Sequence, residues 1–117
     1  MAKIAVILLA DIDRTEGMGR MANALTTAKE AKEAGDEIRV ILDGAATKWG
    51  AELADASHKY HRLLHDLKPE TGACAYCSRA YGVKDEVEAA GIALMDEYKG
   101  HPSVRQLIVD GFAVVTF

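Results

Sequence analysis

The sequence predicts an α/β fold: a single domain over residues 1–117, built on a mostly parallel sheet of about five strands with helices on both faces. Two observations support this. Ile4 to Ala10 is a continuous apolar run without helical spacing, as in strands that are covered on both faces. Further along, short apolar segments alternate with segments of helical spacing, and no linker, internal repeat or low-complexity stretch interrupts them.

The first part of the chain predicts a strand, a helix and a second strand. Lys3 to Ala10 forms the first strand, and Asp11 to Gly19 a polar loop. Apolar residues then recur at helical spacing up to Ala28, and Gly35 is suited to end the helix. Ile38 to Leu42 forms the second strand. This βαβ unit is expected to be right-handed, as in flavodoxin-like and Rossmann-like folds.

The rest of the chain continues the alternation of helices and strands. Further helices are predicted over Thr47 to Ala54, Ser57 to Leu67, Cys77 to Tyr81, Val83 to Ala90 and Pro102 to Asp110. Further strands are predicted over Thr71 to Cys74, Ile92 to Met95 and Phe112 to Phe117.

Two helix starts are predicted from capping rules. Ser57 is the expected N-cap of its helix, and Pro102 the expected first residue of the last one. In that last helix, Val104, Leu107 and Ile108 are expected to face the core.

Composition excludes several classes of function. The net charge of −4 and the lack of a Lys/Arg run give no surface for nucleic acid. Ile4 to Ala10 is too short to span a bilayer and lacks the features of a signal peptide, so no membrane association is expected. We therefore expect a cytoplasmic protein. In the reducing cytosol, a Cys-x-x-Cys pair is usually redox-active or metal-binding.

The two cysteines, Cys74 and Cys77, are the main chemical signal. They can form a reversible disulfide, supply half of a metal site, or act as nucleophile and resolving thiol. Cys74 is expected at a strand end facing the start of a helix, which favours a thiolate and predicts a pKa lowered from about 8.5 to roughly 3.5–7.5. The alternative is that both cysteines are small buried apolar residues.

Four polar clusters follow the predicted strands and are expected to converge on one pocket: Asp11 to Gly19, Asp43 to Trp49, Cys74 to Ser78 and Asp96 to His101. Gly17 and Gly19 begin a segment, Gly17 to Ala22, that fits the G-x-G-x-x-A form of the dinucleotide fingerprint, although an ordinary helix start explains them better. A non-catalytic module that binds a small anion, a nucleotide or a metal through Gly17, Gly19, Asp43 and the histidines is the alternative function.

His58, His61 and His65 lie on one predicted helix, on the side away from its apolar stripe. His61 and His65 have a spacing that can chelate a metal, but a solvated helix face is the better interpretation. No metal and no cofactor is therefore predicted.

Several segments together resemble the DsrE-like family of sulfur-relay proteins. They are the opening strand at Lys3 to Leu8, Asp43-Gly44, Ala73 to Cys77 with Gly82 eight residues after Cys74, and the closing segment Gly111 to Phe117. Asp96 to Ser103 is similar to a subgroup of small members without an assigned activity.

The resemblance implies a role for the two cysteines. Cys74 would carry a sulfane sulfur as a persulfide, and Cys77 matches a second thiol that some members have. Independently of the resemblance, Arg79 is expected to add positive charge, and the expected ligand-binding residues are Gly17, Gly19, Asp43, Tyr76 and His101. The family also implies a homo-oligomer, a trimer or hexamer, that works with a sulfur donor or acceptor protein. An Arg-Gly pair often closes the family segment, whereas here Tyr81 precedes Gly82.

Overall fold

Five parallel strands form one sheet in the computed structural model, which describes residues 1–117. The strands lie in the order β4-β3-β2-β1-β5. Their bounds are β1 Lys3–Leu8, β2 Glu37–Leu42, β3 Thr71–Cys74, β4 Ala93–Met95 and β5 Ala113–Thr116. The long central pair, β1 and β2, is in register from Lys3 opposite Glu37 to Leu8 opposite Leu42.

Six α-helices connect the strands. Their bounds are α1 Glu16–Glu33, α2 Lys48–Glu52, α3 His61–Leu67, α4 Ala75–Ala80, α5 Lys84–Ala89 and α6 Val104–Val109. Two 3₁₀ turns, Gly44–Thr47 and Lys68–Glu70, precede α2 and β3. No helix is long and apolar enough to cross a membrane.

The order of the strands decides which face each helix covers. From β1 to β4 the chain moves across the sheet in one direction, and right-handed crossovers then put the intervening helices on one face. The step from β4 to β5 runs back across the sheet, so α6 lies on the opposite face. The predicted three-layer α/β domain with helices on both faces is confirmed.

The hydrophobic core is divided unequally between the two faces. One face holds 18 buried residues, including Met21, Leu25 and Trp49 from the helices. The Trp49 indole N–H donates to the Ala10 carbonyl oxygen at 3.0 Å, which fixes α2 near the end of β1. The opposite face holds five buried residues, of which Leu107 is the contribution of α6. Most of the hydrophobic stabilisation therefore comes from the first face.

Two predicted helix starts are wrong because local hydrogen bonds favour other conformations. The Ser57 hydroxyl donates to the Asp55 carboxylate at 2.7 Å, so Ser57 does not cap a helix, and α3 begins only at His61. Pro102 likewise lies outside α6. Ser103 is the N-cap, and its Oγ accepts the N–H of Gln106 at 3.1 Å.

The predicted buried face of α6 is also partly wrong. Leu107 is buried, but Ile108 is 61% exposed. Because α6 is short and lies alone on its face, the sheet covers only one side of it.

Candidate functional site

The carboxyl ends of three neighbouring strands bring a set of polar and sulfur-containing side chains together. Asp43 directly follows β2, and Cys74 is the last residue of β3. His101 lies in the loop after β4, which pairs with β3 through Met95 opposite Cys74. Carboxyl ends of parallel strands meet at one edge of a sheet, so these residues become neighbours although they are far apart in sequence.

Four potential ligand atoms meet at this edge: a carboxylate oxygen of Asp43, the sulfurs of Cys74 and Cys77, and a ring nitrogen of His101. All of them lie within 4.8 Å of one another. The Cys74 Sγ is 3.3 Å from His101 Nδ1, and the Cys77 Sγ is 3.7 Å from Asp43 Oδ1. Both cysteines are free thiols.

Backbone N–H groups hold two of these four side chains. The backbone N–H of Cys77 donates to Cys74 Sγ at 3.4 Å, so Cys74 caps α4 with its own sulfur. The backbone N–H of Gly44 donates to Asp43 Oδ1 at 2.8 Å. Residues that are held in this way need little rearrangement to act together.

A tight turn places His101 against the thiols. Tyr98 and His101 form an antiparallel bridge, with backbone N–H···O distances of 2.9 and 2.8 Å. The two residues between them have positive φ, 50° at Lys99 and 85° at Gly100, as in a type I′ turn. The Tyr76 N–H donates to the Gly100 carbonyl at 2.9 Å, and the Tyr76 ring packs 4.8 Å from the His101 ring.

Burial changes the acidity of Cys74 in the direction opposite to the prediction. Its side chain has no exposed surface, and loss of solvation raises the pKa of the Cys74 thiol from 9.0 to about 12. The Cys77 N–H lowers that pKa, whereas the Cys77 side chain and the Asp43 carboxylate raise it further. One long N–H···S contact does not offset burial beside a carboxylate.

Three of the four predicted polar clusters converge, and the fourth lines a different cavity. Asp43, Cys74 to Ser78 and His101 meet at the site, together with Tyr76. Gly17 instead lines a cavity of about 370 Å³ between the ends of β1 and β5, beside Asp11 and Asp13.

Two other predicted site residues are exposed and have few contacts. Gly19 has no neighbouring atom within 4 Å of the position that a Cβ would take. Arg79 lies exposed on α4, and its side chain makes no hydrogen bond or ion pair, so its positive charge faces solvent.

The histidine cluster at residues 58, 61 and 65 does not approach the cysteines. His61 Nδ1 lies 2.7 Å from the Leu53 carbonyl oxygen, and His58 Nδ1 accepts the N–H of Tyr60 at 3.0 Å. Only His65 is exposed as predicted, while His58 and His61 are half-buried. The histidine that joins the thiols is His101. The Lys99-Gly100 pair before it, which is suited to a tight turn, was the sequence signal for this placement.

The molecule is thus an α/β domain with two free thiols, a histidine and a carboxylate at the carboxyl edge of its parallel sheet. No known family profile matches the chain. It is similar to the uncharacterized protein MJ0733 of Methanocaldococcus jannaschii, with 26% identity over 114 residues, 97% of this chain and 93% of that protein.

The fold is shared with a solved structure, the conserved protein of unknown function BT1422 of Bacteroides thetaiotaomicron. The TM-score is 0.61 with 19% sequence identity, and the match covers 97% of this chain and 94% of that one. Neither protein's name assigns an activity, so a function for this chain has to be argued from the site itself.

Proposed function

We propose that the protein is a sulfur carrier of the DsrE-like type, which holds a sulfane sulfur as a persulfide on Cys74 and uses Cys77 as a second thiol. The observation that supports this most is the close approach of the two free thiols to His101, with 3.3 Å between Cys74 Sγ and His101 Nδ1. A nucleophile within hydrogen-bond reach of a base is the arrangement that thiol chemistry requires.

Loading uses His101 as the proton acceptor. Cys74 Sγ attacks the outer sulfur of a donor persulfide, R–S–SH, while His101 Nδ1 takes the thiol proton. A new S–S bond forms on Cys74, the donor S–S bond breaks, and the donor leaves as a thiolate that receives the proton from His101. The transfer needs no external oxidant or reductant.

Discharge can follow two routes. In the first, an acceptor thiolate attacks the outer sulfur and restores Cys74. In the second, Cys77 attacks the inner sulfur, the outer sulfur leaves as hydrosulfide, and a Cys74–Cys77 disulfide forms. An external dithiol then reduces this disulfide and is itself oxidised. The separation of at most 4.8 Å between the two sulfurs suits the second route.

The surroundings of Cys74 argue against a purely packing role. A cysteine that only fills space is expected among apolar atoms. The sulfur of Cys74 instead contacts a backbone N–H and a histidine nitrogen, and a carboxylate lies nearby. Burial of polar groups costs free energy, so their presence around Cys74 favours a chemical role over a packing role.

Binding of an anion or a nucleotide at the Gly17 loop receives less support. The cavity there is lined by the carboxylates of Asp11, Asp13 and Glu16. Its single arginine, Arg20, is already paired with Glu16. A negatively charged ligand would therefore meet mainly repulsion.

Substitution of each cysteine separates their roles. Reduced protein is incubated with inorganic polysulfide, and the added sulfur is measured by intact-mass spectrometry. We expect wild type and Cys77→Ser to gain one sulfur atom, and Cys74→Ser to gain none. Only wild type should then form the internal disulfide. His101→Ala should slow loading by about 10²–10⁴-fold, the usual contribution of a general base. Sulfur loading that persists in Cys74→Ser would refute the proposal.

A further inference from the structure

We propose that Asp43, Cys74, Cys77 and His101 form a binding site for one Zn²⁺ ion. The proposal concerns metal binding alone and does not depend on sulfur transfer. It rests on the meeting of four metal-ligating atoms from four separate positions of the fold, all within 4.8 Å of one another.

The spacing of the ligand atoms suits a tetrahedral ion. Ligands at about 2.0–2.3 Å from a tetrahedral Zn²⁺ lie about 3.3–3.8 Å from each other. The distance from Cys74 Sγ to His101 Nδ1 is 3.3 Å, and that from Cys77 Sγ to Asp43 Oδ1 is 3.7 Å. Since no pair is farther apart than 4.8 Å, closure around the ion requires movements of about 1 Å or less.

The types of ligand select the metal. Two sulfurs, an imidazole nitrogen and a carboxylate oxygen match the donor set of Zn²⁺. Mg²⁺ and Ca²⁺ prefer oxygen ligands and would not use the thiols. Four protein ligands would also fill the tetrahedron, which indicates a closed site rather than one with an open position for substrate.

The ligands are held in place before any ion arrives. Asp43 is fixed by Gly44, Cys74 by the N–H of Cys77, and His101 by the turn that it closes with Tyr98. Side chains restrained in this way lose little conformational entropy on binding, which favours affinity.

Cobalt provides a direct readout of the site. Reduced, chelator-treated protein is titrated with Co²⁺ without oxygen and followed by absorption spectroscopy. We expect a thiolate-to-cobalt charge-transfer band, together with the intense d–d bands of tetrahedral Co²⁺, to saturate at one ion per chain. Zn²⁺ should abolish both. Absence of the charge-transfer band would overturn the proposal.

Ligand variants test whether all four residues take part. Asp43→Asn and His101→Ala should each weaken Zn²⁺ affinity, measured by chelator competition, by more than about 100-fold. This threshold follows because loss of a residue outside the ligand shell already costs about 10–100-fold. Asparagine can still cap the turn at Gly44, so the Asp43 variant should fold, which circular dichroism checks.

A histidine pair outside the proposed site supplies the matched control. His61 and His65 have ring centroids 5.8 Å apart and could bind a metal on their own. His65→Ala should leave Zn²⁺ affinity unchanged. The proposal fails if His65→Ala removes binding, or if Asp43→Asn and His101→Ala bind as tightly as wild type.

The metal site and the sulfur carrier can fail separately. Cobalt binding without polysulfide loading would remove the carrier function and leave the metal site, and the reverse result would remove the metal site alone. If the carrier function holds, equimolar Zn²⁺ should block sulfur loading in wild type by occupying both thiols. The same amount should block loading less in Asp43→Asn, because its Zn²⁺ affinity is lower.

Discussion

At the scale of single residues, Cys74 is held in its protonated form by the fold. Burial raises its pKa to about 12, and the neighbouring Asp43 carboxylate and Cys77 side chain act in the same direction. His101 is the group placed to take the proton when the sulfur reacts, since its Nδ1 lies 3.3 Å from Cys74 Sγ. Such a thiol reacts slowly with reagents in solution unless a base takes its proton as the sulfur attacks.

The pH dependence of alkylation tests this directly. In Cys77→Ser protein only Cys74 can react with iodoacetamide, and its rate follows the thiolate fraction. Because the pKa of Cys74 is raised, the rate should be very low at neutral pH and should still rise above pH 9.0, the ordinary value for a thiol. Mass spectrometry at each pH gives the rate.

Two comparisons complete that experiment. In unfolded protein, the alkylation rate should rise with pH around the ordinary pKa of a thiol and then level off. This result would confirm that the fold causes the shift in the pKa of Cys74. If the native rate already levels off below pH 9.0, the N–H groups at the start of α4 dominate over burial, as the sequence predicts.

The sequence located the thiols but not their environment. The short strand predicted over Thr71 to Cys74 ends at the first cysteine, so Asp43 and Cys74 could be placed at one sheet edge. Burial of Cys74 depends on how the Tyr98–His101 turn packs against it, which is a tertiary contact without periodicity. The sequence places His101 in a cluster expected at the same edge, but its distance of 3.3 Å from Cys74 depends on this turn.

At the scale of elements, the start of α1 depends on a close backbone approach. A Cβ at Gly17 would lie 2.0 Å from the Asp11 carbonyl oxygen and 2.6 Å from the Asp13 carboxylate. The Asp13 carboxylate accepts the N–H of Gly17 at 2.9 Å and that of Thr15 at 3.1 Å, and these bonds lower the pKa of Asp13. Gly17 therefore allows the loop to fold over the first turn of the helix.

The two glycines of this loop should respond to alanine in opposite directions. Gly17→Ala should destabilise the protein by about 1–3 kcal/mol, since an atom is forced into a packed backbone. Gly19→Ala should stabilise it by about 0.5–1 kcal/mol, because the site is open and alanine favours a helix. Urea unfolding measures both changes. Equal effects at the two positions would contradict this account of the loop.

Helix boundaries were the least predictable feature at this scale. Serine can cap a helix or bond to a nearby side chain, and the two options differ little in energy. Ser57 bonds to Asp55, and Ser103 caps α6. Only the neighbouring structure decides between these outcomes, so the same residue type supported one wrong and one missed cap.

At the scale of the whole molecule, the alternation of strands and helices predicted three layers. It did not predict how fully the helices cover each face of the sheet. The sequence does not specify that β5 returns to the far edge beside β1, leaving α6 alone on its face. As a result Ile108 and Val109 of α6 are 61% and 59% exposed. Val115 of the edge strand β5 is 39% exposed on the opposite face, beside its register partner Val6. β5 pairs only with β1, so its other edge carries unpaired backbone groups.

This incompletely covered face predicts self-association through α6 and β5. Wild type should elute as an oligomer at micromolar concentration, with its mass measured by light scattering, because apolar side chains and a free strand edge favour burial against a second copy. Ile108→Lys combined with Val109→Lys should shift the protein to monomer by adding charge to the exposed side of α6. Asn23→Lys adds a charge to the exposed side of α1, across the sheet, and should leave the mass unchanged. A monomeric wild type over the whole micromolar range would show instead that the face stays in solvent, and the trimer or hexamer implied by the DsrE-like resemblance would then be wrong for this chain.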